Sequence, residues 1–273
     1  MMPLKPVNIT SENKTILITG ATSGIGLEFV NIYADLNYNI IAIGRDSEKL
    51  KLLKSDIEIK YSVNVSTLMI DLSNPEDLIN LSKQIDSEIK DIDILINNAG
   101  TGVYGEFKDT DFSKELSMIN LNIVALSFIT KIVLRKMLFR GKGKILNVAS
   151  TAAFKPGPLM AVYYATKAYV LSFSQAVASE IKGTGVSLTV LCPGPVNTKF
   201  LKESSDNELR YIDYGKMSDP KEIAMYGMKA LEKNRLVEIP GFRNKLNTLA
   251  VKFIPSKILM YMIYRSRKNN LKL

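Results

Sequence analysis

The sequence predicts an α/β fold of three layers, a doubly wound domain built on a parallel seven-stranded sheet. Short apolar runs of strand length alternate with helical stretches along the chain, and strands separated by helices form parallel sheets. The first run also feeds directly into a glycine-rich turn and then a helical pattern, the arrangement with which such sheets open a phosphate site. A length of 273 residues, with no internal repeat or low-complexity linker, fits one domain over 1–273 with a large core.

In chain order, strands are expected at about 15–19, 40–43, 68–70, 92–96, 144–149, 187–191 and 236–239. The first, Thr15-Ile16-Leu17-Ile18-Thr19, reads as buried and runs into Gly20-Ala21-Thr22-Ser23-Gly24-Ile25-Gly26. Leu27, Phe29, Val30 and Tyr33 then mark a helix. Glycines in that turn let the backbone approach a pyrophosphate, and the helix N-terminus attracts its negative charge. The second strand ends at Gly44, followed by Arg45 and by Asp46, which is placed to cap the helix carrying Leu50 and Leu53. The fifth, an apolar run from Ile145 to Ala149, ends at Ser150, on the sheet edge where open α/β sheets hold ligands.

Tyr163 precedes Lys167 by four residues in a helical stretch, so the two side chains share one face. A phenol with its ordinary pKa near ~10 exchanges protons poorly at neutral pH, and a close positive charge favours its ionised form. Lys167 can supply that charge. Histidine is absent, which removes histidine-based triads and most zinc sites, and no metal is expected. Proton transfer then falls to tyrosine, lysine or carboxylates. Cys192 is alone, so no intrachain disulfide can form; before Pro193 it reads as a buried strand-end thiol.

Four ordered motifs resemble the short-chain dehydrogenase/reductase (SDR) family: Thr19 to Gly26 (T-G-x-x-x-G-x-G), Asn97-Asn98-Ala99-Gly100 (N-N-A-G), Tyr163 to Lys167 (Y-x-x-x-K) and Pro193-Gly194-Pro195-Val196-Asn197-Thr198 (P-G-x-V-x-T). The resemblance covers about 13–240 and implies a Rossmann-type domain that transfers a hydride between a nicotinamide dinucleotide and a carbonyl or alcohol. Tyr163 is then the candidate for the proton transfer, with Tyr164 its rival three residues before Lys167. Lys167 would stabilise the tyrosinate and hold the nicotinamide ribose. Ser150 would hydrogen-bond the substrate oxygen, with Thr151 the weaker rival. Asn120 matches the asparagine that holds a relay water near the lysine, with Asn122 as the alternative. The resemblance further implies cofactor contacts from Gly20, Thr22, Ser23, Gly24, Ile25 and Gly26, from Asp71 and Leu72 around the adenine, from Asn98, Ala99 and Gly100 along the cleft, and from Pro193, Gly194, Val196 and Thr198 near the nicotinamide. Asn97 and Asn98 could equally be structural.

Gly44 occupies the position where the family carries an acidic residue when it binds NAD(H), and Arg45 can neutralise a 2′-phosphate, so NADP(H) is expected over NAD(H). Residues after the last motif, about 199–218, would form a substrate lid whose mixed aromatic and aliphatic side chains suggest an apolar carbonyl or alcohol. A second reading is a catalytically silent NADP(H)-binding sensor or interaction module, but such a module would need none of Ser150, Tyr163, Lys167 and Asn120.

The formal net charge of +9 is concentrated in the extension 242–273, where Arg243, Lys245, Lys252, Lys257, Arg265, Arg267, Lys268 and Lys272 are met by no acidic residue. Apolar residues are interleaved with them, so a basic amphipathic segment in contact with a membrane surface is one expectation and a helix packed on the domain is the other. The apolar run 258–264 is too short to cross a bilayer. No nucleic-acid partner is expected, because these cations lie on an apolar tail and not on a stripe with stacking aromatics. Residues 1–14 lack an apolar run of signal-peptide length, so the expected location is the cytoplasm, peripheral to membrane if the tail binds one. Helices near 112–139 and 161–181 match those through which the family forms homodimers and homotetramers.

Overall fold

The computed structural model describes residues 14–89, 91–200 and 217–269; most of the expected lid lies outside them. Seven parallel strands form one sheet: β1 (Thr15–Thr19), β2 (Asn39–Gly44), β3 (Val65–Met69), β4 (Ile94–Asn97), β5 (Gly143–Val148), β6 (Val186–Leu191) and β7 (Val237–Glu238), in the order β3-β2-β1-β4-β5-β6-β7. The helices between them are α1 (Gly24–Asp35), α2 (Ser47–Tyr61), α3 (Pro75–Ser87), α4 (Phe112–Arg140), α5 (Ala161–Glu180) and α6 (Pro220–Glu232). After β7 come α7 (Phe242–Ala250), a 3-10 turn (Val251–Phe253) and α8 (Ser256–Asn269).

The central strands are buried on both faces, which is why they read as unbroken apolar runs. Ile16, Ile18, Ile40 and Ala42 pack with Phe29, Leu53 and Ile223 of α1, α2 and α6; Leu17, Ile41, Ile43 and Leu95 pack with Leu81, Ile129 and Val133 of α3 and α4. These are the two outer layers. By length and composition α4 could cross a bilayer, yet its Ile129, Val133 and Met137 are fully covered by the sheet and α3.

Strand β3 starts three residues before its expected place. Val65 pairs with Ile40, and the preceding Asn64 carbonyl already accepts from the Ile40 amide, so the ladder begins at Val65 although Ser66 and Thr67 interrupt its apolar pattern.

The chain builds outward from β1 to β3, then crosses back to place β4 on the other side of β1. Such a reversal opens a crevice at the carboxyl ends of the two strands, where these folds bind ligands. A buried polar ladder fixes the neighbouring strands: Asn97 Nδ2 donates to Asn147 Oδ1 and Thr130 Oγ1, both at 2.9 Å, and Asn147 Nδ2 donates to Ser174 Oγ at 3.0 Å. Asn97 is therefore structural.

Candidate active site

A cleft of about 560 Å³ runs along the carboxyl edge of the sheet, a volume suited to a small-molecule ligand. The β1–α1 turn forms its floor. Gly24 has φ +55, a left-handed conformation that glycine adopts readily, and Ser23, the N-cap of α1, makes no side-chain capping bond. The first amides of α1 are thus left for an anion. A Cβ built on Gly26 would stand 2.1 Å from the Gly20 carbonyl oxygen, so the turn closes on the helix only with glycine there. Asn98 locks the same turn: its amide donates to Thr19 Oγ1 at 3.0 Å, and its side chain donates to the carbonyls of Thr19 and Gly20. This glycine cradle, backed by an uncapped helix N-terminus, fits the pyrophosphate of a dinucleotide.

Of the residues expected in the site, Gly20, Thr22, Ser23, Gly24, Ile25, Arg45, Leu72, Asn98, Ala99, Gly100, Ser150, Tyr163, Lys167, Pro193, Gly194, Val196 and Thr198 all line this cleft. Three stand outside its wall. Gly26 acts through the close approach just described. Asp71 turns its carboxylate into its own loop, where Oδ1 accepts from the Ser73 amide at 3.0 Å and from Ser73 Oγ at 2.7 Å. Asn120 is the third, and here the expectation is corrected: its Nδ2 donates to the Ser73 carbonyl at 3.2 Å, and it does not line the cleft that Lys167 lines.

The position expected for Asn120 is held by Asn122. A point one Cβ above Gly100 is 3.2 Å from Asn122 Oδ1 and 3.3 Å from Lys167 Nζ, so both groups face the same spot. Asn122 Nδ2 donates to the Thr101 carbonyl and to Thr166 Oγ1, and Oδ1 accepts from the Thr101 amide. Both asparagines lie in a π-helical stretch of α4, Asn120–Ala125.

Tyr163 and Lys167 project from the first turns of α5, with the Lys167 Nζ 5.9 Å from the centre of the Tyr163 ring. The ammonium donates to the Val148 carbonyl at 3.1 Å. Burial pushes its pKa down to about 8, against a smaller electrostatic pull from Cys192. Cys192 itself is pushed up to about 12 by burial, opposed by Lys167 and by a hydrogen bond from the Ser150 backbone, so the thiol stays protonated and is no nucleophile. Ser150 Oγ accepts from the Ala152 amide at 3.1 Å and makes only a long contact of 3.4 Å to the Pro193 carbonyl, which leaves the hydroxyl free to turn toward a ligand. The rivals Tyr164 and Thr151 also line the cleft, but the Tyr164 ring lies against Gly157, where an added Cβ would come within 2.4 Å of it.

One wall of the cleft comes from beyond the expected core. Asn244, Asn247, Thr248 and Val251, on α7 and the turn after it, complete the cavity, with the Asn244 side chain set against Gly194, where an added Cβ would come within 2.7 Å of its Nδ2. In the sequence Asn244, Asn247 and Thr248 sit in an apolar, basic segment with no motif to mark them.

The profile of the short chain dehydrogenases matches residues 14–209. The chain belongs to the short-chain dehydrogenase family. It is similar to the ketoacyl reductase HetN of Nostoc sp., 29% identical over 245 residues that span 90% of this chain and 84% of that protein. It is also similar to the very-long-chain 3-oxoacyl-CoA reductase-B of Danio rerio, 36% identical over 200 residues, 71% of this chain; the match spans 63% of that relative's length. Among solved structures, a short-chain dehydrogenase from Sphingobium yanoikuyae in complex with NADPH aligns with a TM-score of 0.78 at 28% identity, covering 88% of this chain and 93% of that one. This short-chain dehydrogenase is therefore an oxidoreductase for carbonyl or alcohol groups, dependent on a nicotinamide dinucleotide.

Proposed function

We propose that the protein is an NADP(H)-dependent reductase of an apolar carbonyl, best matched by a 3-oxoacyl thioester, with Tyr163 as the general acid. The observation that carries this reading is the convergence of Tyr163, Lys167 and Ser150 on one cleft beside a dinucleotide cradle. When bound, the nicotinamide supplies the hydride. The residues of the chain handle the oxygen: Ser150 Oγ hydrogen-bonds it, and Tyr163 Oη gives it a proton as negative charge develops. Lys167 stabilises the resulting tyrosinate, and Asn122, facing the same spot as the ammonium, positions the relay that returns the proton.

Arg45 supports NADP(H). It lines the cleft at the end of β2, where Gly44 offers no carboxylate. The neighbouring acid is already committed: Asp46 accepts from the amides of Glu48 and Lys49 and pairs with Lys49. Phe154, Met160, Phe200 and Val251 in the cleft wall support an apolar substrate, and the names of the ketoacyl relatives support a 3-oxoacyl group. The outward Leu116, Val124 and Phe139 of α4 support pairing of copies through that helix.

The experiment is NADPH oxidation against 3-oxoacyl thioesters of increasing chain length, with small polar aldehydes for comparison. The reading expects kcat/KM to rise with acyl length. No turnover of any carbonyl, or a preference for the small polar ones, would overturn it.

A further inference from the structure

The two sides of the helices after β7 differ in a way that water alone would not favour. Inward, Asn244 and Thr248 lie one turn apart against the cleft, and Tyr264 of α8 donates to Glu106 Oε1 at 3.0 Å. Outward, Phe242, Leu246, Leu249 and Phe253 recur at spacings of four, three and four and are 80%, 55%, 53% and 80% exposed. That spacing puts Phe242, Leu246 and Leu249 on one face of α7, and Phe253 follows in the 3-10 turn. Ile258 and Met262, one turn apart on α8, are also more than half exposed. Single exposed apolar residues are ordinary, but a contiguous apolar surface marks an interface. Arg243, Lys257 and Arg265 flank it, all exposed.

We propose that the outer face of α7 and α8 docks on an anionic phospholipid surface, with the apolar stripe at headgroup depth and the cations on the phosphates. Charge selects this occupant. From Arg243 to the end of the chain there are eight basic residues and no acidic one, so a second copy on this face would set like charges together, whereas anionic headgroups neutralise them. With 9 and 14 residues, neither helix is long enough to span a bilayer. Because α7 also walls the cleft, docking holds the cleft one helix away from the lipid, within reach of a carbonyl compound dissolved in the bilayer. That last step rests on the catalytic reading above, while the docking itself stands without it.

The test is cosedimentation of the full chain with vesicles of phosphatidylcholine and phosphatidylglycerol (3:1) and with phosphatidylcholine alone. A triple variant, Leu246→Gln, Leu249→Gln and Phe253→Gln, alters only outward positions; its melting temperature and NADPH binding serve as folding controls. The expected result is at least tenfold stronger binding to the anionic vesicles, and at least a tenfold loss in the triple variant with both controls unchanged. Absence of binding by the natural chain, or equal binding by the variant, would overturn the docking. A dimer that the triple substitution splits, without vesicle binding, would assign the face to a second copy and overturn it too. Docking with no faster turnover of a vesicle-dissolved 3-oxoacyl thioester would overturn only the delivery step.

Discussion

The Lys167 ammonium stands 5.9 Å from the centre of the Tyr163 ring, and the lysine is buried, with its ammonium donating to the Val148 carbonyl. Burial lowers its pKa to about 8, so this group carries its charge below that pH and loses it as pH rises through it. The tyrosinate then loses its stabilising neighbour. In the reducing direction, kcat/KM for the nucleotide, which reports groups on the free enzyme, is expected to fall as pH rises through about 8. A profile that stays level well into the alkaline range would detach Lys167 from catalysis.

Asn122 and Asn120 separate by substitution. Asn122→Ala strips partners from the Thr101 amide and carbonyl and from the Thr166 hydroxyl, a buried set whose loss costs about 1–3 kcal/mol. It also removes a group beside Lys167, so turnover is expected to fall at least ~10-fold, less than the loss of a group that itself transfers the proton. Asn120→Ala gives up one bond to the Ser73 carbonyl, worth about 1 kcal/mol, with turnover nearly unchanged. Thermal melts and kcat of the two variants check this, and the opposite ranking would return the role to Asn120.

Arg45→Ala is expected to raise the KM for NADPH by about 10- to 100-fold, the worth of a hydrogen-bonded charge pair, and to leave the KM for NADH alone. Parallel steady-state titrations with the two nucleotides read the outcome. An equal change for both would remove Arg45 from phosphate recognition.

The sheet and the phosphate turn were legible because their signals are local. β1, β2 and β4 are covered on both faces, so each is an unbroken apolar run, and the spacing of Gly20, Gly24 and Gly26 records a close approach that no other residue type allows at Gly26. Asn122 was harder to read. Asn120 and Asn122 stand two residues apart, so a motif match fits either one, and only the fold, through a π-helical stretch over Asn120–Ala125, turns Asn122 toward Lys167 and Asn120 toward Ser73. The α7 wall was harder still. Its inward side is polar and its outward side apolar, the reverse of the pattern by which a packed helix is recognised, and only the fold brings Asn244 against Gly194. The apolar pattern marks only the end of β3, because Ser66 and Thr67 break its apolar run, while their backbones pair with Ile41 and Ala42 of β2 all the same.

The most direct test of the proposed chemistry is Tyr163→Phe, which keeps the ring against Phe200 and removes only the hydroxyl. The account predicts a fall in kcat of at least ~100-fold, as for loss of a general acid, with the dissociation constant for NADPH nearly unchanged. Turnover near that of the natural chain would contradict it.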